Sequence, residues 1–372
     1  MKKIAIATGT RADWGLLLPL ALELRDLGCE PAILVTYAHL FKELGDTVEE
    51  IINDGFVPTA EIKARMNSPE AVADTVEGFS KYFKSERPDY VIILGDRFEM
   101  LGVATAALLT DIKIAHIAGG TTSLGAYDDA IRHSISKMST LHFPETKRGR
   151  DRLILMGEDR ESITVAGALG VYNALHTPLM SRRQLSESLE FDLSGDLILG
   201  TYHPATISEL NPVEQMDIWI GGMERAIFNN GNLKFLLTYP NSDTDPHLLV
   251  ERMERFRHRY PERVFVYPSL GRVRYLSAAN EATAVIGNSS SGIVEIPSLG
   301  TPVLDIGNRQ SGRERSKAVS HCELYPQAIE EGIKRVTTPG FIQLAKETPN
   351  PYYKDNTPRL IAEKILRPHS TK

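Results

Sequence analysis

The chain has 372 residues, 42% of them hydrophobic, and a formal net charge of −6 at pH 7. That length points to two domains, and that composition is ample for their cores. Charges of both signs are scattered with no basic run, and no apolar stretch approaches bilayer-spanning length, which argues against a nucleic-acid binder and a membrane protein.

Short apolar runs alternate with helix-length amphipathic segments from the start. The first run, Ile4–Ala7, stops at Thr8-Gly9-Thr10-Arg11. It is too short for the core of a signal peptide and reads as a strand. Further strands are expected at Ala32–Thr36, Tyr90–Leu94, Ile112–His116, Leu141–Phe143 and Ile163–Val165. Helices are expected at Leu16–Leu27, Glu43–Asn53, Pro69–Ser85, Phe98–Leu109, Asp129–Ser139 and Lys147–Met156. Around Gly167–Arg183 the alternation lapses into what reads as a linker, then restarts. Strands follow at Leu197–Thr201, Lys234–Thr238, Val264–Tyr267, Ala284–Ile286 and Pro302–Asp305. Their helices are Pro212–Phe228, Asp245–Arg257, Arg274–Ala279, Ile293–Leu299 and Tyr325–Arg335, and Pro358–Leu366 closes the series.

This alternation indicates parallel sheets wrapped by helices. The expected fold class is α/β, with two Rossmann-like, doubly wound domains facing a cleft. The expected division is 1–172 and 173–352, with 353–372 a closing helix that packs back on the first domain. The two cysteines, Cys29 and Cys322, are far apart in sequence and in no metal-type spacing. No disulfide scaffold and no structural metal are expected, and the location expected is the cytoplasm.

Polar clusters follow the expected strands, where ligands bind in doubly wound sheets. Thr8-Gly9-Thr10-Arg11-Ala12-Asp13 is not a dinucleotide-binding glycine pattern, so no nicotinamide is expected. Arg11 offers a clamp for phosphate, or else forms a surface pair with Asp13. In Gly95-Asp96-Arg97, Asp96 is either a general base, a hydroxyl acceptor or a helix N-cap. The loop His116-Ile117-Ala118-Gly119-Gly120 leads to a helix on which Asp128 and Arg132 share a face, as do Asp129 and His133. That is an acid–base constellation, or alternatively a capped helix with i,i+4 pairs.

In the second half His203 ends a strand, as does the polar group around Asn241. Ser269-Leu270-Gly271 is a place to hold a base, and Arg309 and Arg313 add two guanidiniums. Gly287-Asn288-Ser289-Ser290-Ser291-Gly292 breaks a strand into a helix start and so exposes N–H groups and hydroxyls suited to phosphate. Glu295, one turn on, is placed to accept from two ribose hydroxyls. The competing reading is a serine-rich turn with an ordinary cap.

Taken together and in order, Gly9-Thr10-Arg11-Ala12-Asp13, Leu94-Gly95-Asp96-Arg97, His116-Ile117-x-Gly119-Gly120, Asp128-Asp129-x-Ile131-Arg132-His133, His203-Pro204, Gly287–Glu295 and Gly307-x-Arg309-Gln310-x-Gly312-Arg313 resemble the hydrolysing UDP-N-acetylglucosamine 2-epimerases of the sialic-acid pathway. The likeness runs from about Lys3 to Leu366. It implies a glycosyltransferase-B-like fold, a UDP-sugar substrate, no cofactor and a homodimer. It also implies anti elimination of UDP to a glycal, followed by hydration to free N-acetylmannosamine. By motif, Asp96 and Asp128 are the acid–base candidates, with Arg132 and His133 beside them. Arg11, His203, Ser289, Ser290 and Arg313 would hold the diphosphate, Glu295 the ribose, and Ser269 and Leu270 would lie near uracil. Asp13, Arg97, Asn241, Asn288, Gly292 and Arg309 complete the expected binding set.

The chain departs from the family pattern in two respects. The family's loop glutamate, two or five residues after His116, falls at Ala118 or Thr121, which leaves three readings: Asp129 or Glu99 substitutes, the sugar differs, or activity is weak. The family's glycine at position 37 is a tyrosine, which could narrow the sugar pocket. A close rival is the same chemistry on UDP-N,N′-diacetylbacillosamine. A glycosyltransferase on this fold would have no use for the Asp128–His133 cluster, and a non-catalytic nucleotide-sugar binder is the remaining alternative.

Overall fold

The computed structural model describes residues 2–41, 47–65, 68–122, 128–205, 208–240 and 246–367. Contacts divide them into two compact units. One holds the residues up to 121, then 128–172 and 354–367; the other holds Thr122 and 173–353.

The first unit alternates strand and helix: β1 (Ile4–Thr8), α1 (Arg11–Asp26), β2 (Ala32–Thr36), α2 (Val48–Asn53), β3 (Pro58–Ile62), α3 (Glu70–Glu86), β4 (Tyr90–Leu94), α4 (Phe98–Leu109), β5 (Lys113–Ile117), α5 (Asp128–Met138), β6 (Leu141–Phe143) and α6 (Lys147–Leu155). Then α7 (Leu169–His176) leads to the second unit: α8 (Arg182–Leu189), β7 (Asp196–Thr201), α9 (Pro212–Asn229), β8 (Leu233–Thr238), α10 (Pro246–Arg259), β9 (Val264–Tyr267), α11 (Gly271–Glu281), β10 (Ala284–Gly287), α12 (Ser290–Val294), β11 (Val303–Ile306), β12 (Val319–Cys322), α13 (Pro326–Val336) and α14 (Pro339–Glu347). Finally α15 (Thr357–Leu366) returns to the first unit.

Both sheets are parallel and six-stranded, in the orders β3-β2-β1-β4-β5-β6 and β12-β11-β10-β7-β8-β9. The winding is therefore the same in each, a Rossmann-like arrangement whose direction reverses between β1 and β4 and between β7 and β10. The central strands are almost continuously apolar because helices cover both faces. Every residue of β1 is buried. On one face Trp14 of α1 meets Phe56 edge-on, 5.5 Å between centroids, while α3 places Phe79 and Phe83 on the other. Helix α15 buries Ile361, Ala362 and Ile365 against the same cluster as Leu17, Ala21 and Leu24 of α1. Thr357 Oγ1 also donates to Ala166 O at 2.7 Å. In the second unit Trp219 of α9 stacks on Tyr202 with centroids 5.5 Å apart. No helix among the described residues is long and apolar enough to cross a membrane.

The structure differs from expectation at the margins. Strands β3 and β12, unforeseen, are edge strands with one neighbour each, so neither needs an apolar run; β3 starts with a proline and alternates half-buried and exposed. The run Ile163–Val165 contributes only an isolated bridge from Ile163 to His142. The segment read as a linker contains α7, which buries Leu169, Val171 and Ala174. Helices α8 and α14 were also unforeseen. The helix expected at Ile293–Leu299 starts at Ser290 and gives way at Ile296–Leu299 to a 3₁₀ turn, where Pro297 can donate no backbone hydrogen bond.

Candidate functional site

Each unit gathers polar side chains where its sheet reverses direction, the usual ligand position in this architecture. In the first unit the loop after β1 meets the turn after β4. A side chain at Gly9 would place its Cβ 2.5 Å from Glu99 Oε1, so the approach needs a bare Cα unless the Glu99 side chain shifts. Thr10 caps α1 by accepting from Asp13 N at 3.2 Å. Arg11 is directed to Glu50 of α2, at 2.9 Å, in a largely exposed pair that a phosphate would have to displace. Asp13 has its Oδ2 shut off from solvent with no partner among the described residues. Burial pushes its carboxyl up to about 6, against the pull of Arg97 and with the repulsion of Glu99.

A carboxyl raised on folding favours the folded state most below its unfolded value, near 4, and that contribution is lost as pH rises through about 6. Asp13→Asn should therefore flatten the decline in the urea midpoint between about pH 4 and 6. An unchanged pH slope in the variant would refute this.

Asp96, just past β4, forms an ion pair with Arg132 of α5. Arg132 is nearly fully buried, donates to Thr121 O at 2.8 Å and lies 3.6 Å from Asp129. Asp129 in turn lies 3.4 Å from His133 Nε2. Burial pushes the His133 imidazole below its ordinary value, opposed by Asp129, which favours the neutral ring. Asp128 is half-buried at the first position of the same helix. Strand order thus joins Asp96 to the α5 cluster; Asp129, named in the sequence as a partner of His133 and a stand-in for the loop glutamate, is part of it. His116 has a supporting role, with its ring nitrogens 2.8 Å from Gly95 O and 3.1 Å from Ser136 Oγ.

Tyr37 and Ala118, two of the three positions that depart from the family pattern, both have left-handed backbones, with φ of 48° and 64°. Glycine adopts that conformation without strain, whereas Tyr37 is held by edge-on packing against Phe98 at 5.0 Å. Asn241 lies outside the described residues, as does the Ala126-Tyr127 approach to α5.

In the second unit Gly287 has φ 133°, and a Cβ there would overlap Thr201 O of the neighbouring strand. Asn288 follows as a clamp. Its Oδ1 accepts from His203 N and its Nδ2 donates to His203 O, both at 2.7 Å. Its own carbonyl accepts from Arg309 Nη1 at 3.1 Å and Gln310 Nε2 at 2.9 Å. The loops after β7, β10 and β11 are thereby one hydrogen-bonded assembly, in which Gln310, a motif residue to which the sequence assigned no role, takes part. Arg315 continues it, reaching Asp305 Oδ2 at 2.6 Å.

Ser289 is the N-cap of α12 but makes no side-chain capping bond; Ser290 is exposed and Gly292 is buried against Val303. Glu295 accepts from Ser291 Oγ at 2.7 Å, and burial raises its carboxyl. A ribose would have to exchange with that serine. Burial, helped by Arg309, pushes His203 down to about 4, so at pH 7 it offers a neutral ring rather than a positive charge. Arg313 is half-buried with no ion pair among the described residues. Ser269 is exposed, whereas the Leu270 side chain belongs to the core beside Ala278 and Leu236, which leaves only its backbone to meet a base. Among the described residues no group of three or more His, Cys, Asp or Glu could hold a metal ion.

The sequence pattern of the family described as UDP-N-acetylglucosamine 2-epimerase matches residues 23–366. The chain is 35% identical to the GDP/UDP-N,N′-diacetylbacillosamine 2-epimerase (hydrolyzing) of Campylobacter jejuni, over 89% of this chain and 87% of that one. It is 32% identical to polysialic acid biosynthesis protein P7 of Escherichia coli, over 96% and 91%. The crystal structure of UDP-GlcNAc 2-epimerase from Neisseria meningitidis bound to UDP-GlcNAc superposes with a TM-score of 0.82 at 18% identity, covering 98% of this chain and 99% of that one, a likeness of fold.

Proposed function

We infer the reaction from one premise: the chain belongs to the UDP-N-acetylglucosamine 2-epimerase family and is a hydrolysing UDP-sugar 2-epimerase. The substrate we propose is UDP-N-acetylglucosamine, converted with water to N-acetylmannosamine and UDP. The observation that carries this reading is the ion-paired group Asp96, Arg132, Asp129 and His133, with Asp128 at the start of the same helix.

The C2 proton of the sugar is weakly acidic, and its removal needs a fixed base. Asp96 and Asp128 are the bases proposed, with Asp129 and the neutral His133 able to relay or return a proton. As the proton leaves, the C1–O bond breaks and its electrons depart with UDP, leaving a C1=C2 glycal. Water then bonds to C1 and surrenders a proton, while a proton is delivered to C2 on the opposite face. The developing diphosphate charge is met by Arg11, Arg97, Arg313 and the N–H groups and hydroxyls of Ser289 and Ser290. His203 hydrogen-bonds as a neutral ring, Glu295 takes the ribose, and Ser269 with the Leu270 backbone lies near uracil. The working unit proposed is a homodimer.

A second reading, the same chemistry on UDP-N,N′-diacetylbacillosamine, is favoured by the name of the Campylobacter relative. Incubation with each UDP-sugar in deuterated water tests both. UDP release with deuterium at C2 of a manno-configured product is expected, faster from UDP-N-acetylglucosamine. Faster turnover of the diacetamido sugar would establish the second reading, and UDP release without C2 exchange from either would overturn the epimerase.

A further inference from the structure

Helix α4 reads Phe-Glu-Met-Leu-Gly-Val-Ala-Thr-Ala-Ala-Leu-Leu, and Glu99 is its single charged residue. The Glu99 side chain is 0% exposed. Oε1 meets Arg97 Nε at 2.5 Å, while Oε2 is buried with no partner among the described residues. A carboxylate in such a place is a burden on stability, and an apolar residue would fill the same space at lower free energy. The fold nevertheless makes room for it, since the bare Cα of Gly9 leaves the space occupied by Glu99 Oε1.

Arg97 is different in character. It precedes α4 in extended backbone, directly after Asp96, and its side chain is 39% exposed. The Tyr37 ring lies 5.8 Å from its guanidinium carbon. Among the described residues Nη1 and Nη2 make no hydrogen bond; only Nε is engaged, by Glu99. The guanidinium is thus fixed from within the core by one nitrogen and backed by a ring, and its two terminal nitrogens form a fork. A fork of this kind matches an oxyanion that presents two oxygens, such as a diphosphate.

We propose that Glu99 is a positioning residue, which acts through Arg97 to aim the guanidinium fork at the diphosphate of the nucleotide-sugar. The role rests on the reading of Arg97 as a substrate ligand. It also gives Glu99 work other than replacing the loop glutamate absent at Ala118 and Thr121, since its side chain has no exposure and is turned to Arg97.

The test is a double-mutant cycle on the full chain. Glu99→Gln and Arg97→Lys, singly and together, are measured for kcat and KM with the UDP-sugar that wild type turns over, for UDP binding by calorimetry, and for thermal midpoint. Glu99→Gln should weaken UDP binding and raise KM by about tenfold, with a much smaller change in kcat and no loss of thermal midpoint. Because Glu99 acts through Arg97, the double variant should bind UDP no worse than Arg97→Lys alone. Glu99→Asp, too short to reach Nε, should resemble Glu99→Gln in affinity. Additive losses in the double variant, or unchanged UDP affinity in Glu99→Gln, would overturn the proposal. If wild type releases UDP from no UDP-sugar, the proposed reaction fails, while coupling of Glu99 to Arg97 is still read by calorimetry with UDP alone.

Discussion

Asp96→Asn should lower kcat by about 10²–10⁴-fold, the usual contribution of a positioned acid or base. UDP affinity should stay within about threefold, because the lost group serves the chemical step rather than ground-state binding. The variant should still fold. Arg132 keeps Thr121 O at 2.8 Å and Asp129 at 3.6 Å, so its buried charge is not stranded. The penalty should therefore fall below the roughly 3–5 kcal/mol typical of a buried pair that loses one member. Steady-state kinetics, UDP calorimetry and a thermal melt on one preparation check all three statements. A near-normal kcat in a folded variant would remove Asp96 from the chemistry and shift the role to Asp128 or Asp129.

The second large effect is expected from one methyl group. Gly287→Ala should destabilise the protein by about 3–5 kcal/mol and abolish measurable UDP binding. Its φ of 133° is effectively reserved for glycine, and the added Cβ would overlap Thr201 O. That oxygen cannot retreat, since β7 is a central strand paired with both β8 and β10 and Thr201 O accepts from Asn288 N at 3.2 Å. Relief would have to push β10 from β7 and dislodge the Asn288 clamp. Urea unfolding and UDP calorimetry read the two consequences, and a wild-type midpoint would contradict the geometry.

Which parts of this were legible in the sequence follows from how local their causes are. The central strands are apolar because helices cover both faces, so runs such as Tyr90–Leu94 are visible at once. Edge strands such as Pro58–Ile62 carry no such run and were missed. The sharing of a face by Asp128 and Arg132 follows from helical spacing alone. The pairing of Asp96 with Arg132 does not, because it depends on β4 lying beside β5 and on the path of the chain between them. Leu270 illustrates the opposite failure: its place in a polar strand-end motif was legible, whereas the direction of its side chain, into the core, was not. Gln310 was visible only as a motif residue and Glu99 only as a stand-in for the loop glutamate, for a related reason. Each acts on another residue, and such a relation has no signature in spacing or composition.

The return of α15 to the first unit bears on how the molecule is made. On the ribosome, residues 1–172 emerge first, yet the apolar side of α1 that α15 covers stays open until the whole of 173–353 has been synthesised. At about 5–20 residues per second, that interval lasts on the order of ten to forty seconds. The second unit can complete its core during elongation, whereas the first must wait with Leu17, Ala21 and Leu24 incompletely covered. Order of synthesis and order of completion are thus opposite, and truncation before Thr357 should expose the first-made half, rather than the last-made one, to chaperones and proteases.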